Sequence, residues 1–124
     1  MRISKKTQYG LRAMIHIAKN GKKSLKEIAK AENISVDFLE KILKDLQSNG
    51  LLVSKKGSSG GYSLARKPEK IYAGEIVETL EGIVPVECEG CQMARICSSK
   101  NIWDDVKDSL QETLYSKTLK DLIK

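Results

Sequence analysis

The sequence contains a single histidine, and that scarcity is the first constraint on what the chain can do. General acid–base catalysis near neutral pH draws most often on histidine, and His16 stands without a Ser/His/Asp set, a phosphate-binding glycine loop or a second metal motif. The residues therefore point away from an enzyme. Aromatic residues are scarce too: Phe38, Trp103 and four tyrosines, with no run on a strand that would stack RNA bases. Only two prolines occur, and neither an internal repeat nor a low-complexity tract is present. No apolar run approaches the ~20 residues needed to cross a bilayer. The opening MRISKKTQYGLRAMIHIAK is amphipathic rather than the apolar centre of a secretion signal. The expected location is the cytoplasm, away from any membrane.

At 124 residues the chain can bury one proper core, so one compact domain with an extension is expected. Its formal net charge of +6 is unevenly spread. In residues 1–70 sixteen Lys or Arg stand against six Asp or Glu, a balance of +10, whereas residues 71–124 hold six against ten, a balance of −4. A basic front section joined to a mildly acidic remainder implies that the front meets a polyanion.

Periodicity and punctuation divide the chain further. From Ile3 to Ala18, Leu11, Met14, Ile15 and Ala18 recur at helical spacing before Asn20-Gly21 stops the run. Ser24, with Glu27 three residues on, forms a capping box for a second helix ending near Glu32-Asn33. Ser35 caps a third, whose stripe Leu39, Ile42, Leu43 and Leu46 runs to Ser48-Asn49-Gly50. Two short capped helices about three residues apart form a helix-turn-helix pattern. The period then changes: Leu51–Ser54 and Tyr62–Ala65 read as strands of a hairpin, joined by Lys55-Lys56-Gly57-Ser58-Ser59-Gly60-Gly61. A short helix over Ala73–Leu80 follows, then a cysteine-bearing loop, a longer helix from about Asn101, and a last short one with Ser116 as its cap.

Burying 39, 42, 43 and 46 turns Asp37, Glu40, Lys41, Lys44 and Ser48 outward on the third helix. Such a face suits the major groove, where carboxylates accept from cytosine and lysine donates to guanine. The hairpin sets Lys55, Lys56 and the backbone N–H groups of Gly57, Ser58, Ser59, Gly60 and Gly61 where a wing would meet phosphate. Lys5, Lys6 and Thr7 at the start of the first helix add candidate phosphate contacts.

Together, MRISKKTQYGLRAM, ISVDFLEKILKDLQSNGLLVSKKGSSGGYSLAR, AGEIVETLEG and the cysteine cluster followed by Trp103 resemble the Rrf-two family of bacterial winged-helix regulators, in order over almost the whole chain. The resemblance implies a mainly α fold: a winged helix-turn-helix of three helices and a two-stranded wing, with a long C-terminal dimerisation helix. It implies a homodimeric transcription factor on a palindromic operator of double-stranded DNA. The implied divisions are 1–70 for DNA binding, 71–100 for a short helix and sensor loop, and 101–124 for dimerisation. The recognition helix would run from Ser35 through Val36 to Gln47, the wing would run from Lys56 to Tyr62, and Trp103, Val106, Leu110 and Leu114 would pair the subunits. For the Trp103 stripe, an intramolecular core competes with dimerisation on the residues alone.

Cys88, Cys91 and Cys97 are the chain's only cysteines, all within CEGCQMARIC. In a reducing compartment, clustered thiols ligate metal or sense redox more often than they form disulfides. Three thiolates need a fourth ligand for zinc or an iron–sulfur cluster. By resemblance, sensing members of the family hold a 2Fe-2S or 4Fe-4S cluster on this loop. The chain departs from the familiar pattern: two residues separate the first pair, Lys100 stands where some relatives have a histidine, and Gln8 stands where others have an acid. The fourth ligand stays open among Glu87, Glu89, Gln8, His16, the last read as a surface residue, and an exogenous group. Zinc, or a metal-free thiol switch, are the competing chemistries. A small iron–sulfur or zinc redox protein without DNA recognition is the competing function, and it leaves the basic front section unexplained.

Overall fold

The computed structural model describes residues 2–57, 60–83, 90–93 and 95–123. Helix α1 spans Lys5–Asn20, its N-cap Ser4 accepting from the Thr7 N–H, and it ends at Gly21. Helix α2, Leu25–Glu32, carries the expected Ser24/Glu27 capping box and stops on Asn33, whose left-handed φ of 54° turns the chain. Helix α3, Val36–Ser48, starts at Ser35, whose hydroxyl accepts from the Phe38 N–H. Helices α2 and α3 with the turn between them form the helix-turn-helix.

Strands β1, Leu52–Lys55, and β2, Gly61–Leu64, pair antiparallel with Leu52 opposite Leu64 and Lys55 opposite Gly61. Both strands differ by one residue from the expected 51–54 and 62–65. Leu51 is instead the exit of α3, since its N–H donates to the Leu46 carbonyl. The connection between α1 and α2 adds a third, single-residue rung: Lys23 and Tyr62 exchange N–H···O bonds of 3.1 and 2.8 Å. This rung needs glycine at 61, where a Cβ would lie 2.6 Å from the Lys23 carbonyl oxygen.

A 3-10 turn, Pro68–Lys70, leads to α4, Ala73–Leu80, and then come α5, Lys100–Leu114, and α6, Leu119–Leu122. Ser116 does not cap α6. Its hydroxyl donates back to the Thr113 carbonyl, and the cap is Thr118, which exchanges bonds with Asp121 in a capping box. The shift follows from chemistry: only Thr118 has an acid three residues on.

The core gathers Met14, Ile17, Ile28, Leu39, Ile42, Leu43, Leu46, Leu51 and Leu52 with Ile71 and Ile76 of the α4 region and Leu119 of α6. Leu119 is fully buried, and its N–H donates to the Ile71 carbonyl, stitching the C-terminal end against the start of α4. Helix α5 buries no residue completely.

Candidate nucleic-acid interface

The α3 stripe Leu39, Ile42, Leu43 and Leu46 is fully buried, and the periodicity of the helix fixes what faces out. Ser35, Val36, Asp37, Lys41 and Lys44 are exposed, and Glu40 is half-buried. Glu40 Oε1 lies 2.9 Å from Lys44 Nζ, and this carboxylate holds the Lys44 ammonium above the usual lysine range. Phe38 is not on the reading face; it packs edge-on against Tyr9 with ring centroids 5.7 Å apart.

Beside α3 the wing presents Lys55, Lys56 and Gly57, all exposed. Ser58 and Ser59 lie outside the described residues. A cleft of about 560 Å³ runs between α3, the α2 N-terminus and the wing. Lys44, Lys55 and Lys56 line it together with Gln47, Ser54, Tyr62 and the backbone of Gly57, Gly60 and Gly61. Gln47 Nε2 donates to Ser54 Oγ at 3.0 Å, a brace between helix and wing. Three cations, small polar groups and glycine backbone on the walls of one open cleft suit a phosphate backbone. Sequence reading had Gln47 only as the end of the recognition helix and missed its brace to Ser54; the outward position of Gln47 on α3 was the available signal.

At the start of α1, Lys5 is exposed and Lys6 Nζ pairs with Asp45 Oδ2 of α3 at 2.8 Å. Thr7 differs from the expectation of a phosphate contact. It is 2% exposed, and its hydroxyl donates to Glu81 Oε1 at 3.2 Å, because its turn of α1 faces α4. Glu81 also accepts from the Ser4 N–H at 2.6 Å. The Ser4 backbone bond, aided by the Ser4 and Thr7 hydroxyls and by Lys6, holds the Glu81 carboxyl below the usual carboxylate range despite some desolvation.

His16 also differs from the surface position read from sequence. It is half-buried against α2, with Nδ1 3.2 Å from Glu32 Oε2, and Arg12 pairs with the other oxygen of the same carboxylate. Gln8 uses its amide to donate to the Ile3 carbonyl at 2.7 Å. Of the cysteines, Cys91 is exposed and Cys97 half-buried, while Cys88, Glu87 and Glu89 lie outside the described residues. Cys97 Sγ is 3.0 Å from Ser99 Oγ, and the Ser99 hydroxyl and backbone hold its thiol below the usual cysteine range. Lys100 pairs with Asp104, one turn along α5.

Trp103, Val106, Leu110 and Leu114 are each half-buried on α5, and Ile102 is 55% exposed. The helix is anchored at its end by Tyr115, whose hydroxyl donates to Glu78 of α4 and whose ring stands 6.2 Å from that of Tyr72. The Glu78 bond is the main reason the Tyr115 phenol is pushed up to about 12. Gly74 admits that ring: a Cβ there would lie 2.2 Å from it.

Residues 3–124 match the Rrf2 family, described as an iron-dependent transcriptional regulator. The HTH-type transcriptional regulator CymR of Bacillus subtilis is 42% identical over 98% of this chain and 89% of its own length. Protein rrf2 of Nitratidesulfovibrio vulgaris is 35% identical over all of this chain and 88% of its own. The chain belongs to the Rrf2 family. Among solved structures, that of CymR, titled the global cysteine regulator of B. subtilis, superposes with a TM-score of 0.81, covering 99% of this chain and 96% of that one at 41% identity. A structure of T. potens IscR gives 0.82 over 99% of this chain and 86% of that one at 36% identity. The Rrf2 relatives are transcriptional regulators, not enzymes, and the winged helix-turn-helix is their DNA-binding fold. No helix among the described residues is long and apolar enough to cross a membrane.

For an Rrf2 protein the description as iron-dependent raises a fit question at the cysteines. Cys91 and Cys97 are free thiols, and they would supply two of the four ligands that a 2Fe-2S or 4Fe-4S cluster takes. Among the described residues no group of three or more His, Cys, Asp or Glu comes together, so these residues do not by themselves make a metal centre. Gln8 donates its amide nitrogen to the Ile3 carbonyl, and His16 turns Nδ1 to Glu32.

Proposed function

We propose that this transcriptional regulator binds a palindromic operator as a homodimer, acting in the cytoplasm. Residues 1–70 read DNA, 71–100 receive the signal and 101–124 pair the subunits. The observation that carries the reading is the single cleft lined by Lys44 of α3 and by Lys55 and Lys56 of the wing. A duplex entering it sets α3 in the major groove, with Ser35, Val36, Asp37, Glu40, Lys41 and Lys44 toward base edges, and lays the wing from Lys55 to Tyr62 along the backbone. Glu40 and Lys44 neutralise one another in the free protein, so a base that accepts from Lys44 must also leave Glu40 a donor, which is a source of selectivity.

Dimerisation through Trp103, Val106, Leu110 and Leu114 is supported by the absence of any fully buried residue on α5 beside an apolar stripe. Two-fold pairing places the two α3 helices about one DNA turn, ~34 Å, apart. Steeply salt-dependent binding to duplex DNA, weakened by Lys44→Ala and Lys56→Ala with a shallower salt slope, tests the cleft. Unchanged affinity and slope in both variants would overturn it. Sedimentation tests the dimer: monomer alone at micromolar concentration removes it.

The signal enters at Cys88, Cys91 and Cys97. Iron–sulfur ligation there, with a fourth ligand from outside the trio, is supported by the iron dependence in the family's description. Metal-free thiol chemistry is supported by the exposed Cys91 and by the Ser99 contact that favours the Cys97 thiolate. Anaerobic isolation with iron, sulfide and zinc analysis separates them. A colourless protein, with stoichiometric zinc or no metal, discards the cluster.

A further inference from the structure

Helix α1 has a charge problem at its start. Its first turn holds Lys5 and Lys6 and no acid, so two cations sit at the positive end of the helix dipole. The neighbouring short helices solve this locally, α2 with Glu27 and α6 with Asp121, each the acid of its own capping box. In α1 that position is Thr7, which cannot do the work of a carboxylate. The acid comes from 77 residues away: Glu81, where α4 ends, accepts from the Ser4 N–H at 2.6 Å and from the Thr7 hydroxyl at 3.2 Å through the same oxygen. On the other side Lys6 is tied to Asp45 of α3. The first turn of α1 is thus clamped between the end of α4 and the reading helix. Gly82, with φ 88°, and buried Ile83 follow Glu81 directly.

We propose that Glu81 is a positioning residue for DNA binding: by completing the cap of α1 across the fold, it holds the Lys5–Lys6 turn in place against the duplex backbone. The inference rests on the proposed DNA binding and on the phosphate contact expected from the sequence for Lys5 and Lys6 of that turn. Glu81 is itself negative, so its charge opposes DNA while its hydrogen bonds favour the docked geometry. These two effects separate by substitution. Glu81→Gln keeps an oxygen acceptor for Ser4 and Thr7 and drops the charge; Glu81→Ala drops both.

The test is titration of a fluorescein-labelled duplex of random sequence with the full-length protein across a salt series, with thermal unfolding followed alongside. Losing one positioned phosphate contact lowers the slope of log affinity against log salt by about 1. The expected result is that Glu81→Ala loses about one unit of slope, while Glu81→Gln keeps the wild-type slope and binds as well or better. Equal behaviour of the two variants, both tighter than wild type at unchanged slope, means that Glu81 acts only as a charge and overturns the inference. Lys5→Ala separates the premise: if it leaves the slope unchanged, the turn touches no phosphate and both readings fall. If Lys5→Ala lowers the slope and Glu81→Ala does not, only the positioning role is lost.

Discussion

Replacing Gly74 with alanine tests how α5 is attached to the DNA-binding unit. Gly74 lies in the first turns of α4, where alanine is normally favoured over glycine by about 1 kcal/mol. The new methyl would fall 2.2, 2.3 and 2.7 Å from three atoms of the Tyr115 ring. No real Cβ tolerates that approach, so the ring must move, and forced repacking of this kind costs about 1 to 3 kcal/mol. Displacing the ring also breaks the bond from the Tyr115 hydroxyl to Glu78, worth about 1 kcal/mol at a half-exposed site. The opposing effects leave a net loss of about 2 kcal/mol. For a chain of this size that is a fall in Tm of about 8 °C, measured at one fixed protomer concentration because the proposed dimerisation would add to the apparent stability. The same substitution in a Tyr115→Ala background should be neutral or stabilising by up to about 1 kcal/mol, since the obstacle is gone. An equal loss in both backgrounds, or a Gly74→Ala protein as stable as wild type, would refute the contact.

Gly61→Ala pushes a Cβ to 2.6 Å from the Lys23 carbonyl oxygen, so the Lys23–Tyr62 rung should open and hydrogen exchange at the Tyr62 amide should rise at least tenfold. Leu119→Ala removes a fully buried side chain and should cost about 2 to 5 kcal/mol in denaturant unfolding; a loss under about 1 kcal/mol would mean that α6 is not part of the core. Because the Tyr115 phenol is raised to about 12 from 10.0, its contribution is complete below pH 10 and disappears as pH rises through 12, so Tyr115→Phe should flatten the alkaline limb of a stability profile. The carboxyl groups of Glu75 and Glu81 have the opposite sign: for Glu75 the Tyr72 N–H and Arg66 outweigh the effect of partial burial, and both groups titrate below 4.5. Their support is present above that value and fades as pH falls through the lowered ones, so Glu75→Gln should blunt acid unfolding.

Local chemistry made much of the architecture legible. Ser24 with Glu27, Ser35 ahead of its apolar stripe, and the terminators Gly21 and Asn33 act through neighbours within four residues, so α1 to α3 and their order follow from reading along the chain. The hairpin, the basic front half and the outward face of α3 follow from period and composition. Where two hydroxyls competed for one cap, as with Ser116 and Thr118, the acid three residues on was decisive, and that signal was present in the sequence.

Reading along the chain was enough for the helix-turn-helix and the lysine-bearing wing, because caps, periodicity and charge balance are short-range properties of a chain. Only the tertiary structure decided that Thr7 faces Glu81, that His16 turns to Glu32, that Lys6 is held by Asp45, and that Leu119 returns to the core. Each of these pairs residues between 16 and 74 positions apart or packs a side chain from one end of the chain against the other. No periodicity or spacing rule carries across such distances, since which partners meet depends on how the helices pack once their buried faces have come together.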